Sequence, residues 1–106
     1  IREGSPQTRV LLLSESPDKR LCHGLWDCTA GKFRWDFDYD EIVQILEGEV
    51  IVRTHGITLH LQEGQGAFFP CGSTSEWEVP RYVRKVFTQR IPLHPVVATI
   101  KRNLPR

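Results

Sequence analysis

Long hydrophobic runs are absent from this 106-residue sequence, and so is helical periodicity. A membrane-spanning helix needs about 20 consecutive apolar residues, whereas the longest apolar run here is Val10–Leu13. No segment of ten or more residues repeats its apolar positions at the spacing of an amphipathic helix. No signal peptide is visible either. We therefore expect neither a membrane span nor a helical fold.

Paired cysteine motifs are also missing. The three cysteines, Cys22, Cys28 and Cys71, are odd in number and include no CxxC spacing, which argues against a disulfide framework. This cysteine usage fits the reducing cytoplasm, where we expect the protein to be located. We expect the three cysteines to be free thiols. A zinc site built from Cys22, His23 and Cys28 is an alternative, although the paired-cysteine spacing typical of zinc sites is absent.

Acidic residues are absent from the last quarter of the chain. Residues 1–79 contain all 13 acidic and 7 basic side chains, a net charge of −6, whereas residues 80–106 contain 7 basic side chains, a net charge of +7. A basic tail could bind nucleic acid, or it could lie across an acidic surface of its own or a partner subunit. Since no nucleic-acid motif accompanies it, we favour the second interpretation and predict a homodimer without a nucleic-acid partner.

Short stretches rich in β-branched and aromatic residues, separated by Gly, Pro and Asp, make up most of the chain, a pattern typical of all-β proteins. Tight turns are predicted at His55-Gly56, Glu47-Gly48 and Glu63-Gly64, because glycine adopts positive φ without a steric penalty. Pro70 should end a strand because it lacks an N–H. Strands are predicted at Thr8–Leu13, Cys22–Cys28, Lys32–Phe37, Glu41–Glu47, Glu49–Thr54, Ile57–Leu61, Gly66–Phe69, Ser75–Val79 and Tyr82–Gln89, with Phe68 and Phe69 in the core.

Two segments, residues 31–48 and 63–77, combine glycine, proline, aromatic and acidic residues. In the first, Glu41 precedes Gly48 by a six-residue gap. The second contains, in order, Gly64, Pro70, Gly72 and Ser75. This ordered set resembles the two motifs of the RmlC-like cupin superfamily, with Ser75 at the position where cupins have a histidine. The resemblance implies a small antiparallel β-barrel, the double-stranded β-helix or jelly roll.

Residues 24–88 are most similar to one cupin family, the ureidoglycine-aminohydrolase-like and ethanolamine-utilisation-Q-like cupins. The similarity rests on Gly24, Trp26, Gly31, Phe33, Trp35, Asp40, Glu41, Gly48, Pro70, Gly72, Trp77, Arg84 and Lys85. Gly66 departs from the family, which usually has Asp there. We assign residues 1–90 to the cupin barrel and residues 91–106 to a basic tail that packs on its own or a partner barrel, with one further strand at Val96–Ile100.

Most cupins hold a divalent metal with His-x-His and Glu from the first motif and His from the second, and such ligands must converge. Of these four positions, this sequence keeps only Glu41. Asp36, Asp38 and Asp40 could join Glu41 in an oxygen-rich cation site, but they are more simply solvated on the turn into the next strand. We therefore predict no metal and no other cofactor.

An inward carboxylate without a metal needs a partner, because burying an unpaired charge is costly. Strand alternation directs Glu41 inward with Val43, and Lys85 inward with Val83. We predict that Lys85, or alternatively Arg84, pairs with Glu41. The predicted ligand-binding residues are Glu41, Trp35, Tyr39, Ser75, Trp77 and Lys85, with the aromatic side chains as walls and Ser75 at the rim.

Two classes of function remain open. The first is a metal-free module that binds a small polar metabolite in the barrel mouth, where small barrels commonly bind one ligand. The second is an enzyme acting on a small nitrogen-containing metabolite, which the resemblance to ureidoglycine- and ethanolamine-pathway proteins implies. A dimeric accessory subunit is a third possibility. An enzyme would need Glu41 to be reachable by substrate, and fold similarity alone does not decide the activity.

Overall fold

The computed structural model describes residues 2–92, with side chains from Gly4 onward, and consists of seven antiparallel strands. The predicted strand Val96–Ile100 and nearly all of the predicted basic tail lie outside the described residues. The strands are β1 (Arg2–Glu3), β2 (Thr8–Glu15), β3 (Leu21–Asp36), β4 (Asp40–Thr54), β5 (Ile57–Gln62), β6 (Gly66–Phe69) and β7 (Thr74–Arg90). Within residues 2–92 there is no helix, and so no helix capable of crossing a membrane. The all-β prediction is confirmed.

Three long strands form the centre of the sheet, because β7 pairs with β3 on one side and β4 on the other. The first half of β7 pairs with the last residues of β3, and its second half pairs with the first residues of β3 and of β4. The short strands lie outside these: β1 and β2 pair with β3, and β5 and β6 pair with β4. Each long strand therefore contributes to both halves of the fold.

The long strands β3, β4 and β7 bend where their pairing is irregular. The sequence predicted two separate strands in place of each of them, and this prediction is wrong. The β3–β7 register shifts between Thr29 and Gly31, and the β4–β7 register shifts on both sides of Gly48. Gly48 has a φ of 78°, and a Cβ there would lie 1.9 Å from the carbonyl oxygen of Tyr82. Glu47-Gly48 is therefore a bulge within β4 and not a turn, since a bulge bends a strand without ending it.

The other turn predictions agree with the structure. His55 and Gly56 have φ values of 48° and 75° and connect β4 to β5, as the tightest hairpin turns require. Gly64 has a φ of 82° in the turn before β6, and β6 ends at Phe69, directly before Pro70. Proline ends the ladder here because it has no N–H to donate.

The core is formed by inward side chains of β3, β4 and β7, together with residues of β5, β6 and the segment after β3, between the two halves of the fold. Its buried apolar members are Trp26, Cys28, Phe37, Val43, Ile45, Val50, Val52, Leu61, Phe69, Trp77, Val79, Val83 and Phe87. Phe68 is not among them: it is 57% exposed. Its neighbour Phe69 pairs with inward Glu41, so the period of two turns Phe68 outward, opposite Ile42. The prediction that Phe68 lies in the core is wrong.

Candidate functional site

Glu41 and Lys85 form an ion pair inside the barrel. Glu41 is the second residue of β4 and Lys85 lies in the second half of β7, and alternation turns both toward the core. Lys85 Nζ donates to Glu41 Oε2 over 2.8 Å, and each side chain is 1% exposed. The pairing predicted for these residues is present. Arg84, the alternative partner, lies on the outer face within 3.9 Å of Glu47.

Three tryptophan rings surround the ammonium group of Lys85. The centroids of Trp26, Trp35 and Trp77 lie 4.7, 4.3 and 4.6 Å from Nζ. A cation over the face of a desolvated tryptophan ring gains about 2 kcal/mol or more. The rings therefore offset part of the free energy that is lost when the ammonium group leaves water.

Burial dominates the ionisation of Lys85. Desolvation lowers the pKa of its ammonium group below that of an ordinary lysine, and the charge of Glu41 and its hydrogen bond oppose this shift. The folded protein therefore binds this proton less tightly than the unfolded chain does. A lysine in such a setting is typical of functional sites, although structural ion pairs show the same property.

Gln89 completes the coordination of the carboxylate. Its Nε2 donates to Glu41 Oε1 over 2.8 Å, while its Oε1 accepts a weak hydrogen bond from Cys22 Sγ at 3.6 Å. Both oxygens of Glu41 thus have a donor. Gln89 and Cys22 are only half-buried, so they lie between the ion pair and solvent.

Trp35 and Tyr39 are the aromatic residues on this side of the ion pair. Both are half-buried, and Trp35 Nε1 donates to the Tyr39 hydroxyl over 3.4 Å. Burial raises the pKa of Tyr39, so its hydroxyl remains protonated at neutral pH and can donate a hydrogen bond outward. We call Trp35, Tyr39, Gln89 and Cys22 the mouth of the barrel.

Ser75 is buried and does not lie at the rim, so this part of the prediction is wrong. Its hydroxyl accepts a hydrogen bond from Trp77 Nε1 at 2.8 Å and donates to the Trp35 carbonyl at 3.1 Å. The serine therefore orients the indole of Trp77 in the cage of three tryptophan rings around Lys85, whereas its bond to Trp35 reaches only the main chain. Trp77 is likewise fully buried, which leaves Trp35 as the tryptophan of the cage best placed to meet a ligand.

The donor groups of residues 2–92 do not fit a divalent metal. No three His, Cys, Asp or Glu side chains of this region cluster closely enough to hold one. The carboxylate of Glu41 faces an ammonium group, Asp36 pairs with Arg34, and Asp40 pairs with Arg90. The alternation of the strand sends neighbouring acids to opposite faces, so the aspartates do not converge with Glu41 as an oxygen-rich cation site requires.

A surface cavity of about 420 Å³ lies at the His55-Gly56 hairpin, away from the ion pair. Arg34 and Arg53 contribute to its lining, but their guanidinium groups already pair with Asp36 and Glu78. Exposed, paired groups of this kind are common on protein surfaces. The Glu41–Lys85 pair and its mouth therefore remain the better candidate site.

The family of the chain follows from its match over residues 15–87 to the model of the EutQ-like cupin domain. The chain belongs to this family. It is 34% identical over 76 residues to the acetate kinase EutQ of Salmonella typhimurium and 32% identical over 78 residues to that of Clostridioides difficile. These alignments cover 72% and 74% of the chain, but only 33% and 48% of the two relatives. The chain thus spans a third to a half of these EutQ proteins.

Solved structures show the same cupin fold. An ethanolamine utilization protein Q from Salmonella typhimurium superposes with a TM-score of 0.71 at 30% identity, over 79% of the chain and 69% of that structure. The EutQ protein of Clostridium difficile gives a TM-score of 0.72 at 25% identity, over 82% and 70%. A cupin superfamily protein from Desulfitobacterium hafniense shares the fold at 16% identity, with a TM-score of 0.70 over 81% and 79%.

Two residues of the site are not among the predicted ligand-binding residues. Trp26 contacts the ammonium group of Lys85, and Gln89 holds the free oxygen of Glu41. The sequence did contain an indication for Gln89. It lies an even number of residues from Lys85 on β7, so strand alternation turns both side chains to the same, inward face. The contact with Trp26 depends on how β3 bends over the barrel, which alternation does not reveal.

Proposed function

We propose that this EutQ-like cupin binds a small polar metabolite at the mouth of its barrel, without a metal. The ligand lies against Trp35 and Tyr39, exchanges hydrogen bonds with Gln89, and has the Glu41–Lys85 pair beneath it. The names of the relatives suggest the ligand class: small compounds of ethanolamine utilisation, with ethanolamine and acetate as the first to test.

The observation that carries this proposal is a buried ion pair whose charged groups all have partners, next to the half-buried aromatic and polar residues Trp35, Tyr39 and Gln89. A buried ion pair is often no more stabilising than apolar residues of similar volume. Its presence in so small a core is therefore better explained by a ligand than by stability. Apolar walls with few, fixed polar groups are the usual composition of small-molecule sites.

The test is a titration of the 106-residue chain with ethanolamine and with acetate, followed by ¹H–¹⁵N NMR of the indole N–H groups. The indole of Trp35 faces Tyr39 at the mouth, whereas that of Trp77 is bonded to Ser75 in the core. Binding at the mouth should shift the Trp35 signal and the Gln89 side-chain amide, and leave the Trp77 signal nearly unchanged. Trp35→Phe assigns the resonance.

Gln89→Leu should weaken binding at least tenfold, since a hydrogen bond to a charged or polar ligand group contributes about 1.5 kcal/mol or more. Gln62→Leu is the matched control, because Gln62 is an exposed glutamine on β5, outside the mouth. Saturable shifts confined to residues outside the mouth, or no binding of either compound at millimolar concentration, would contradict the proposal.

A second candidate is phosphoryl transfer to acetate, which is favoured by the name of the two acetate kinase relatives at 34% and 32% identity. The chain covers half of them or less, so the activity could depend on their additional residues. A coupled assay for acetate-dependent ADP formation from ATP decides between the two. If the 106-residue chain forms ADP in this assay, and if Gln89→Leu lowers the rate, the enzymatic function would replace the binding function.

A further inference from the structure

The surroundings of the Lys85 ammonium group have the chemistry of a receptor for an ammonium ion. Nζ donates to the Glu41 carboxylate over 2.8 Å, and the centroids of the cage rings lie 4.3–4.7 Å from it. The three rings are tilted against one another by 42° to 77°, so they enclose a compact cation from several sides. Aromatic cages are a general means of binding ammonium-type ligands.

The geometry favours a primary ammonium group over other organic cations. The 2.8 Å contact with the Glu41 carboxylate requires an N–H donor, which a quaternary ammonium ion lacks. A guanidinium group is planar and stacks with its face on an aromatic ring, and it cannot lie parallel to three rings that are tilted against one another. A primary ammonium group is compact and carries three N–H donors, so it suits both the carboxylate and the cage.

The walls of this site are held by contacts that do not involve Lys85. Gln89 Nε2 donates to Oε1 of Glu41 over 2.8 Å, which fixes the carboxylate. Trp77 Nε1 donates to Ser75 Oγ over 2.8 Å, which fixes one ring of the cage. A binding site whose walls are fixed in advance loses less entropy when a ligand enters. The site is therefore pre-organised independently of the side chain that fills it.

The alkyl stem of Lys85 is enclosed by apolar side chains. Its cross-strand neighbours are Trp26 on β3 and Ile45 on β4, and Val83 and Phe87 share its face of β7 and are buried. The lysine side chain is 1% exposed. A shorter residue at this position would leave an enclosed apolar space that ends at the Glu41 carboxylate, and buried apolar cavities can take up small molecules.

We propose that the interior of the barrel is a recognition site for a primary alkylammonium group, and that the native chain keeps this site filled with its own Lys85. The lysine acts as a tethered ligand, because its ammonium group takes the position of a free amine and closes the interior to amines from solution. The inference does not depend on the metabolite proposed for the mouth, which lies outside the ion pair.

Lys85→Ala opens the site, and propylammonium is the probe, because it replaces the three methylene groups and the ammonium group that the substitution removes. A titration followed by ¹H–¹⁵N NMR should shift the indole signal of Trp77, which lies in the core, and the shift should saturate. Saturating probe should raise the melting temperature by at least about 4 °C. The neutral analogue 1-propanol should bind at least about tenfold more weakly, and so should tetramethylammonium, which has no N–H.

Three controls separate this site from the mouth and from simple cavity filling. In the native chain the site is filled, so propylammonium should leave the Trp77 signal unchanged. Lys85→Met should not bind the probe, because methionine refills most of the apolar space and brings no charge. Lys85→Ala/Glu41→Gln keeps the cage without the carboxylate charge, and should bind propylammonium at least about tenfold more weakly than Lys85→Ala does.

If Lys85→Ala is unfolded on its own, circular dichroism becomes the readout, and propylammonium should restore the β-sheet signal at a lower concentration than 1-propanol. A variant that excess propylammonium neither shifts nor refolds would overturn the proposal, as would equal binding of propylammonium and 1-propanol. A shift of Trp77 in the native chain would also overturn it, because Lys85 would then not fill the site. So would a native Lys85 side chain whose NMR signal at pH 7 is that of a neutral amine.

Discussion

Burying Lys85 costs hydration free energy, yet the fold depends on this residue because Glu41 is buried beside it. Its ammonium group is removed from water, and Glu41 and three tryptophans replace that hydration. Removing one member of a buried pair leaves the other charge uncompensated, which typically costs 3–5 kcal/mol, whereas replacing both can be nearly neutral. The pair should therefore be strongly coupled in mutational experiments.

Lys85→Met should lower the free energy of unfolding at pH 7 by about 3–5 kcal/mol, measured by urea denaturation. Adding Glu41→Gln, which keeps an acceptor for Gln89, should restore at least about half of the loss. Arg84→Met is the control: it removes the neighbouring cation, which is exposed and 3.9 Å from Glu47, and should change stability by no more than about 0.5 kcal/mol. Additive losses in the double variant would contradict the coupling.

At the scale of elements, the bend of β4 depends on Gly48. Its positive φ and its approach to the Tyr82 carbonyl let one strand pair with β7 on both sides of the bulge. Gly48→Ala should destabilise the protein by several kcal/mol, because it combines backbone strain with a steric clash. Gly56→Ala is the matched control, with a φ of 75° but open space around a Cβ, and should cost about 1–2 kcal/mol. If Gly48→Ala and Gly56→Ala lose equal stability in thermal or urea denaturation, the backbone near Tyr82 must move easily to accommodate the added Cβ.

Asp40 fastens the start of β4 to two other elements. Its Oδ1 accepts from the Cys71 N–H at 2.9 Å and its Oδ2 from Arg90 at 2.8 Å, at the end of β7. The Cys71 hydrogen bond, with Arg90, lowers the pKa of Asp40. Since the folded pKa lies below the unfolded one, this stabilisation is complete above about pH 4 and disappears as pH falls through the folded pKa.

Asp40→Asn should therefore lower stability at pH 7 by about 1 kcal/mol and make the acid dependence of unfolding shallower below about pH 4. The matched control is Asp38→Asn, which changes an exposed aspartate two residues earlier. Urea denaturation at pH 7, 4 and 3 measures both effects. An unchanged slope in Asp40→Asn would show that other carboxylates govern acid unfolding.

At the scale of the whole molecule, the sequence predicted the parts that follow from a period of two and from local turn chemistry. Alternation placed Glu41 and Lys85 inward, and Gly56 marked its hairpin. The sequence did not reveal that β4 continues through Gly48 and β7 through Pro80, because glycine and proline favour both a bulge within a strand and a turn that ends it. The burial of Ser75 also escaped prediction, since it depends on the two tryptophans that the bent strands bring around it.

The interior of the assembled barrel also determines what metal content we expect in the purified protein. In a EutQ-like cupin with this interior, the charge that a divalent cation would balance is already balanced by Lys85, and both oxygens of Glu41 have donors. A metal would have to displace the ammonium group from its cage and recruit ligands that residues 2–92 do not bring together. Elemental mass spectrometry of tag-free protein, purified without chelator, should find well below one equivalent of Mn, Fe, Ni or Zn. Dialysis against EDTA should leave the melting temperature unchanged, whereas a stoichiometric metal would make a metal-dependent enzyme the leading hypothesis.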